Sequence, residues 1–158
     1  MKLYFNKTSP YARKVRMVVH EKRLADRIQW HETDPWSDPL DLHDATPIGK
    51  VPALVTDDGV LVTESIAIAQ HLDQVGDGPS LSGGDPADLL ARTSLTQGLI
   101  DASFTTVLEA RRPADLQWRD WTQRQVRAID RTIPRLVVPP EGRFDLGDVG
   151  LAVALAYL

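Results

Sequence analysis

Apolar positions recur at two different periods along this chain, and the change of period divides it. Up to about residue 75, short apolar runs alternate with one-faced helical patterns; beyond it only helical spacing remains. Lys2-Leu3-Tyr4-Phe5 reads as a strand. Ser9 to Lys22 puts Tyr11, Ala12, Val15, Val18 and Val19 at helical spacing, with Ser9 as N-cap and Pro10 at the first helical position. Ile28-Gln29-Trp30-His31 reads as a second strand, and strand-helix-strand implies a parallel pair with a right-handed crossover. A breaker-rich loop from Asp34 to Pro39 leads to one helical turn over Leu40 to Asp44. Ala53 to Thr56 and Val60 to Val62 then read as strands joined by the hairpin signal Asp57-Asp58-Gly59, which makes the sheet mixed. Thr63-Glu64-Ser65 opens a helix with Ile68, Leu72 and Val75 on one stripe.

From Val75 to Pro86 glycine, proline and serine dominate, and strand signals vanish afterwards. The expected organisation is a mixed-sheet domain of strands and helices over 1–75, a linker over 76–85 and an all-α domain over 86–158. Asp85 and Pro86 open a long helix, apolar on two faces, that reaches about Arg112. Arg112-Pro113 breaks it. Asp115 is expected to cap the next helix, which runs through Trp118, Trp121, Ile129 and Ile133 to Leu136, with Pro134 kinking it or ending it early. The last helix carries Asp145 as N-cap, Asp148 as the acidic third residue and Phe144 with Val149 as a hydrophobic staple. It is apolar almost all round and is expected to be buried, yet nothing after Leu158 covers it. An incomplete helical domain is the expectation.

Charge and composition narrow the chemistry. The net charge of −4 gives no general attraction to nucleic acid or to an anionic membrane. No apolar stretch is long enough to span a bilayer, and Met1 runs almost directly into the first strand, so a cytoplasmic protein is expected. The cluster Arg13, Lys14, Arg16, Lys22 and Arg23 reads as a solvated helix face. Cysteine is absent, which excludes disulfides, thiolate nucleophiles and Cys-type metal sites. Any thiol chemistry has to use a thiol that arrives with a ligand.

Two strand-to-helix junctions carry a hydroxyl. A helix N-terminus offers free N–H groups and partial positive charge, a seat for an anion. Ser9 either caps its helix and no more, or also serves a ligand there. At the second junction Glu64 and Ser65 stand in the reverse of capping-box order. A carboxylate beside a serine suits a zwitterion instead: Ser65 and its N–H for a carboxylate, Glu64 for an ammonium.

Taken together, four segments resemble the glutathione transferases. Thr8-Ser9-Pro10-Tyr11-Ala12-Arg13-Lys14-Val15-Arg16 is similar to the opening of bacterial serine-type members. Gly49-Lys50-Val51-Pro52-Ala53-Leu54 resembles the family's cis-proline segment, Glu64-Ser65-Ile66-Ala67-Ile68 its γ-glutamyl-binding turn, and Asp145-Leu146-Gly147-Asp148 the capping box of its buried helix. The resemblance implies an α+β protein: a thioredoxin-like domain of order βαβαββα followed by a helical bundle.

It also implies glutathione as co-substrate, no metal, and a transferase in which bound thiolate attacks a small hydrophobic electrophile. Ser9 would donate to the sulfur, Val51 beside a cis Pro52 would pair with the cysteinyl backbone, and Glu64 and Ser65 would hold the γ-glutamyl end. Lys50 or His43 would meet the glycine carboxylate. Tyr11, Phe104, Leu108 and Arg111 would line the electrophile's pocket, and a homodimer would bring Asp101 towards its partner's glutathione. Asn6 and Thr8 are further polar groups that could share the role of Ser9, with Tyr4 ranked below it; Thr46 stands where the family often has asparagine. Cysteine-dependent reducing activities of the fold are excluded. The competing expectation is a non-catalytic glutathione- or protein-binding module on the same fold.

Overall fold

The computed structural model describes residues 1–158, which divide into two compact units, Met1–Ser82 and Gly83–Leu158. In the first, β1 (Lys2–Phe5), α1 (Pro10–Glu21), β2 (Gln29–Glu32), α2 (Leu40–Ala45), β3 (Ala53–Val55), β4 (Leu61–Thr63) and α3 (Ser65–Val75) follow in order. The sheet order is β2-β1-β3-β4, with β1 parallel to β2 and antiparallel to β3, and β3 antiparallel to β4. This is the mixed four-stranded, thioredoxin-like domain that the apolar pattern and the resemblance imply. Leu3, Leu54, Val15, Val18, Val19, Ile68 and Leu72 are fully buried, whereas Val75, expected on the buried stripe of α3, is 37% exposed.

One expectation fails on α1. Lys14 and Lys22 are each only 2% exposed, so the basic cluster is not a single solvated face. Lys22 lies just past α1, where its ammonium pairs with Asp73 of α3 at 3.0 Å and donates to the carbonyls of Gly78 and Pro79, both at 2.8 Å. Asp73 accepts from the Leu81 N–H at 2.8 Å and the Ser82 hydroxyl at 2.7 Å. The segment after α3 is thus tied down through one ion pair. Burial pushes the Asp73 carboxyl up, but the bonds from Ser82, Leu81 and Lys22 outweigh it and hold it below the usual carboxylate range.

The second unit contains α4 (Pro86–Ala110), α5 (Arg119–Thr132) and α6 (Leu146–Tyr157). Asp85 caps α4, accepting from the Ala87 N–H at 2.9 Å. Asp115 does not cap α5; it lies in a 3-10 turn, Ala114–Leu116, and Trp118 occupies the N-cap position. The side chain of Glu109 supplies the missing acceptor by taking the Trp118 N–H at 2.6 Å. Pro134 ends the helix rather than kinking it: α5 stops at Thr132 and a 3-10 turn follows, Ile133–Arg135.

At α6 the capping box is closed as expected, Asp145 accepting from Gly147 and Asp148 while Asp148 accepts from the Asp145 N–H at 3.0 Å. Arg92 of α4 grips Asp145 through two bonds of 2.8 and 2.7 Å, and Arg143 reaches Asp148 at 3.1 Å. A Cβ added at Gly147 or Gly150 would fall 2.3 Å from Arg92 Nη1 or Thr96 Oγ1, so glycine lets α6 lie close on α4. The expected all-round burial of α6 is corrected. Ala152, Leu155 and Ala156 are exposed, and Phe144 is 41% exposed although its staple partner Val149 is buried.

Replacing Lys22 by Met leaves Asp73 buried without its cation, and urea unfolding should show a loss of about 3 kcal/mol. The lowered pKa of Asp73 and of Asp145 adds a pH signature. Their stabilisation is complete above the unfolded value of about 3.9 and lost as pH falls below it towards the folded value. Acid titration of stability should therefore steepen below that value in the parent protein and flatten in Asp73→Asn.

Candidate functional site

The strand register decides which residues can meet. Tyr4 pairs with Ala53, and Ala53 with Thr63, forming one row across β1, β3 and β4. Because β3 is antiparallel to both neighbours, the end of β1, the start of β3 and the end of β4 share one end of the sheet. Three connections leave from this row: Asn6 to Ser9 into α1, Val51-Pro52 out of the loop before β3, and Glu64 into α3. Strands lie about 4.8 Å apart, so the outer two connections stand about 10 Å apart, the length of an extended tripeptide.

Ser9 is half-buried at the N-cap of α1. Its Oγ accepts from the Ala12 N–H at 3.2 Å, and its own N–H donates to the Asn6 carbonyl at 3.3 Å. Capping uses a lone pair and leaves the hydroxyl proton, which has no acceptor among the chain's hydrogen bonds. The cap and a donated bond to a ligand therefore do not compete for the same atom.

The Val51-Pro52 bond is cis. Val51 lies outside β3, and no backbone hydrogen bond within the chain uses its N–H or C=O. An extended ligand backbone fits such an edge as an added strand would. The loop before it is braced by Thr46, fully buried, whose carbonyl accepts from the Gly49 N–H at 3.1 Å and whose hydroxyl accepts from the Ile48 N–H at 3.4 Å. Gly49 has φ +62°, and a Cβ there would meet His43 Nε2 at 3.3 Å. His43 therefore lies over this loop, held by Asp38 at 2.8 Å. Lys50 is exposed and makes no ion pair.

Glu64 occupies the N-cap position of α3 with φ +66°, an unfavourable conformation for a residue with a side chain. Its carboxylate does not cap the helix, which leaves the first N–H groups of α3 without a side-chain acceptor. Ser65 beside them is 3% exposed. Unfilled N–H groups and a hydroxyl suit a carboxylate.

Thr8 and Asn6 stand differently from the expectation that they share the role of Ser9. The Thr8 hydroxyl already donates to Asn6 Oδ1 at 2.7 Å, and the Thr8 N–H to the same oxygen at 3.0 Å. Tyr4 is 5% exposed and packs with Leu42 and Ala53. Tyr11 is half-buried on α1, while Phe104 and Leu108 share one half-buried face of α4 and Arg111 follows its end, exposed. Asp101 is exposed and accepts from Gln97 at 3.1 Å. An open cavity of about 470 Å³ lies at the other end of the sheet, between Met1, Ile28, Val55 and Asp57, away from these groups. Sequence reasoning gave no structural role to Asn6 or Thr46; an Asx residue two before Thr8 was the available signal for the first.

The glutathione S-transferase N-terminal domain matches residues 8–75. The whole chain aligns at 30% identity with 82% of an Escherichia coli protein described as the uncharacterized GST-like protein YibF. Two solved structures cover 99% of the chain over 81% of their own length. One is a glutathione transferase family member from Pseudomonas fluorescens Pf-5 with bound glutathione (30% identity, TM-score 0.88). The other is a glutathione S-transferase from Methylobacillus flagellatus KT with glutathione bound (29% identity, TM-score 0.89). The chain belongs to the glutathione S-transferase family. No helix in it is long and apolar enough to cross a membrane.

As a test of the cap, Ser9→Ala should lower stability by about 1 kcal/mol and Ser9→Gly by only a few tenths, read as the shift in urea midpoint at constant slope.

Proposed function

We propose that the chain is a glutathione transferase that binds the tripeptide along this end of the sheet and activates its thiol at Ser9. The observation that carries the reading is the Tyr4–Ala53–Thr63 row, which lines up three otherwise separate connections over one tripeptide length. The γ-glutamyl carboxylate seats on the α3 N-terminus and Ser65, with Glu64 facing the ammonium. The cysteinyl backbone pairs with Val51, and Lys50, with His43 beside the same loop, meets the glycine carboxylate. The relatives crystallised with glutathione support this reading.

The thiol lands between Val51 and Ser9. A free cysteine-type thiol has a pKa of about 8.5, so only a few per cent is thiolate near pH 7. The Ser9 hydroxyl donates to the sulfur while the α1 N-terminus favours the negative charge. A shift of two units corresponds to about 2.7 kcal/mol, within reach of one charge-assisted bond and a helix end. The thiolate then attacks a small hydrophobic electrophile, its carbon–sulfur bond forming as the leaving group departs with the electron pair.

Turnover of an aromatic halide with glutathione measures this step. Ser9→Ala and Ser9→Gly should both lose about 10- to 100-fold in kcat/KM, equivalent to about 1.4–2.7 kcal/mol, despite their different stabilities. Millimolar glutathione should raise the melting temperature of all three proteins. A shift without turnover would favour a non-catalytic glutathione-binding module; no shift would remove the basis of both readings.

A further inference from the structure

Asn6 makes more bonds around the Ser9 loop than any packing contact there can replace. Its Nδ2 donates to the Thr33 carbonyl at 3.1 Å, its Oδ1 accepts from both the N–H and the hydroxyl of Thr8, and its carbonyl accepts the Ser9 N–H. The Thr33 N–H in turn donates to the Phe5 carbonyl at 2.9 Å. Asn6 thus spans the ends of β1 and β2 on one side and the turn into α1 on the other. The orientation of its amide follows from its partners: a carbonyl can only accept and a backbone N–H can only donate. Lys7 and Thr8 at the tip are exposed, and the one ion pair there, Lys7 with Glu32 at 2.7 Å, is exposed as well.

We infer that Asn6 is a positioning residue for thiol activation, acting through Ser9. This inference rests on the reading of Ser9 as the thiol's hydrogen-bond donor. The Ser9 backbone is fixed behind by α1, whose Ala12 and Val15 are fully buried, and in front by the Asn6 carbonyl and side chain. Because Oδ1 absorbs the hydroxyl proton of Thr8, Ser9 is left as the hydroxyl on this turn with a proton to give. Loss of the Asn6 side chain frees the turn, lets the Ser9 hydroxyl drift and releases the Thr8 proton. Displacements of about 1 Å cost catalytic geometry up to 100-fold.

The test is a titration of thiolate ultraviolet absorbance for glutathione bound to the parent protein, Asn6→Ala, Asn6→Ser, Thr8→Val and Ser9→Ala, with affinity for S-methylglutathione measured on each. Asn6→Ala should raise the bound thiol's pKa by about half a unit to one unit and lower kcat/KM about tenfold below that pKa, while S-methylglutathione affinity stays within about twofold. Asn6→Ser, which keeps a short acceptor for the Thr8 N–H, should recover part of the shift. Thr8→Val should move it less than Asn6→Ala, since the Thr8 N–H bond survives. A pKa that moves in Ser9→Ala but in neither Asn6 variant overturns this inference alone. One that Ser9→Ala leaves unmoved overturns the role of Ser9 and this inference with it. If S-methylglutathione affinity falls in step with the pKa shift, Asn6 shapes the whole site and the positioning role is wrong.

Discussion

Antiparallel placement of a three-residue strand is the constraint on which the rest depends. Were β3 parallel to β1, its start would lie at the opposite end of the sheet, and Val51 would be a strand length away from Ser9 and Ser65. The register Tyr4–Ala53–Thr63 instead brings three chain reversals to one edge. Two of them open helices, whose N-termini supply N–H groups and partial positive charge, and the third supplies an unpaired backbone edge beside a cis proline. The proposed ligand is a short peptide with an anionic end and a thiol. The site matches it with backbone more than with side chains.

Polar groups at this edge divide into those that build it and those left open. Asn6, Thr8 and Thr46 spend their hydrogen bonds inside the chain. The Ser9 proton and the first N–H groups of α3 are not spent. The same economy runs through the rest of the fold. Lys22 with Asp73 is a buried pair, and half-buried Arg92 closes on buried Asp145, so each charge that leaves water meets a partner.

Much of the fold was legible because apolar periodicity and turn chemistry agree in this chain. Strands, crossover, hairpin and the α6 capping box follow from local residues with local reasons. The failures share a cause. Lys14 and Lys22 looked like surface because a lysine's partner cannot be read from its own helix, and Asp73 lies about fifty residues further on. Asp115 looked like a cap because the acceptor for α5 comes from Glu109, on the preceding helix. Of the site, the two hydroxyl-bearing junctions were readable from residues alone. That they lie at one end of the sheet depends on strand register, and the assignment to glutathione came from resemblance. Asn6 went unread as a brace since its role is set by Thr33, across the sheet.

Backbone amide chemical shifts on titration with glutathione test the account most directly. Val51, the first turn of α3 from Ser65, and the Ser9–Ala12 turn should shift together along one saturation curve, with Gln29, Val55 and Asp57 at the far end of the sheet unmoved. Shifts centred on that far end, or on one of the three connections without the other two, would contradict it.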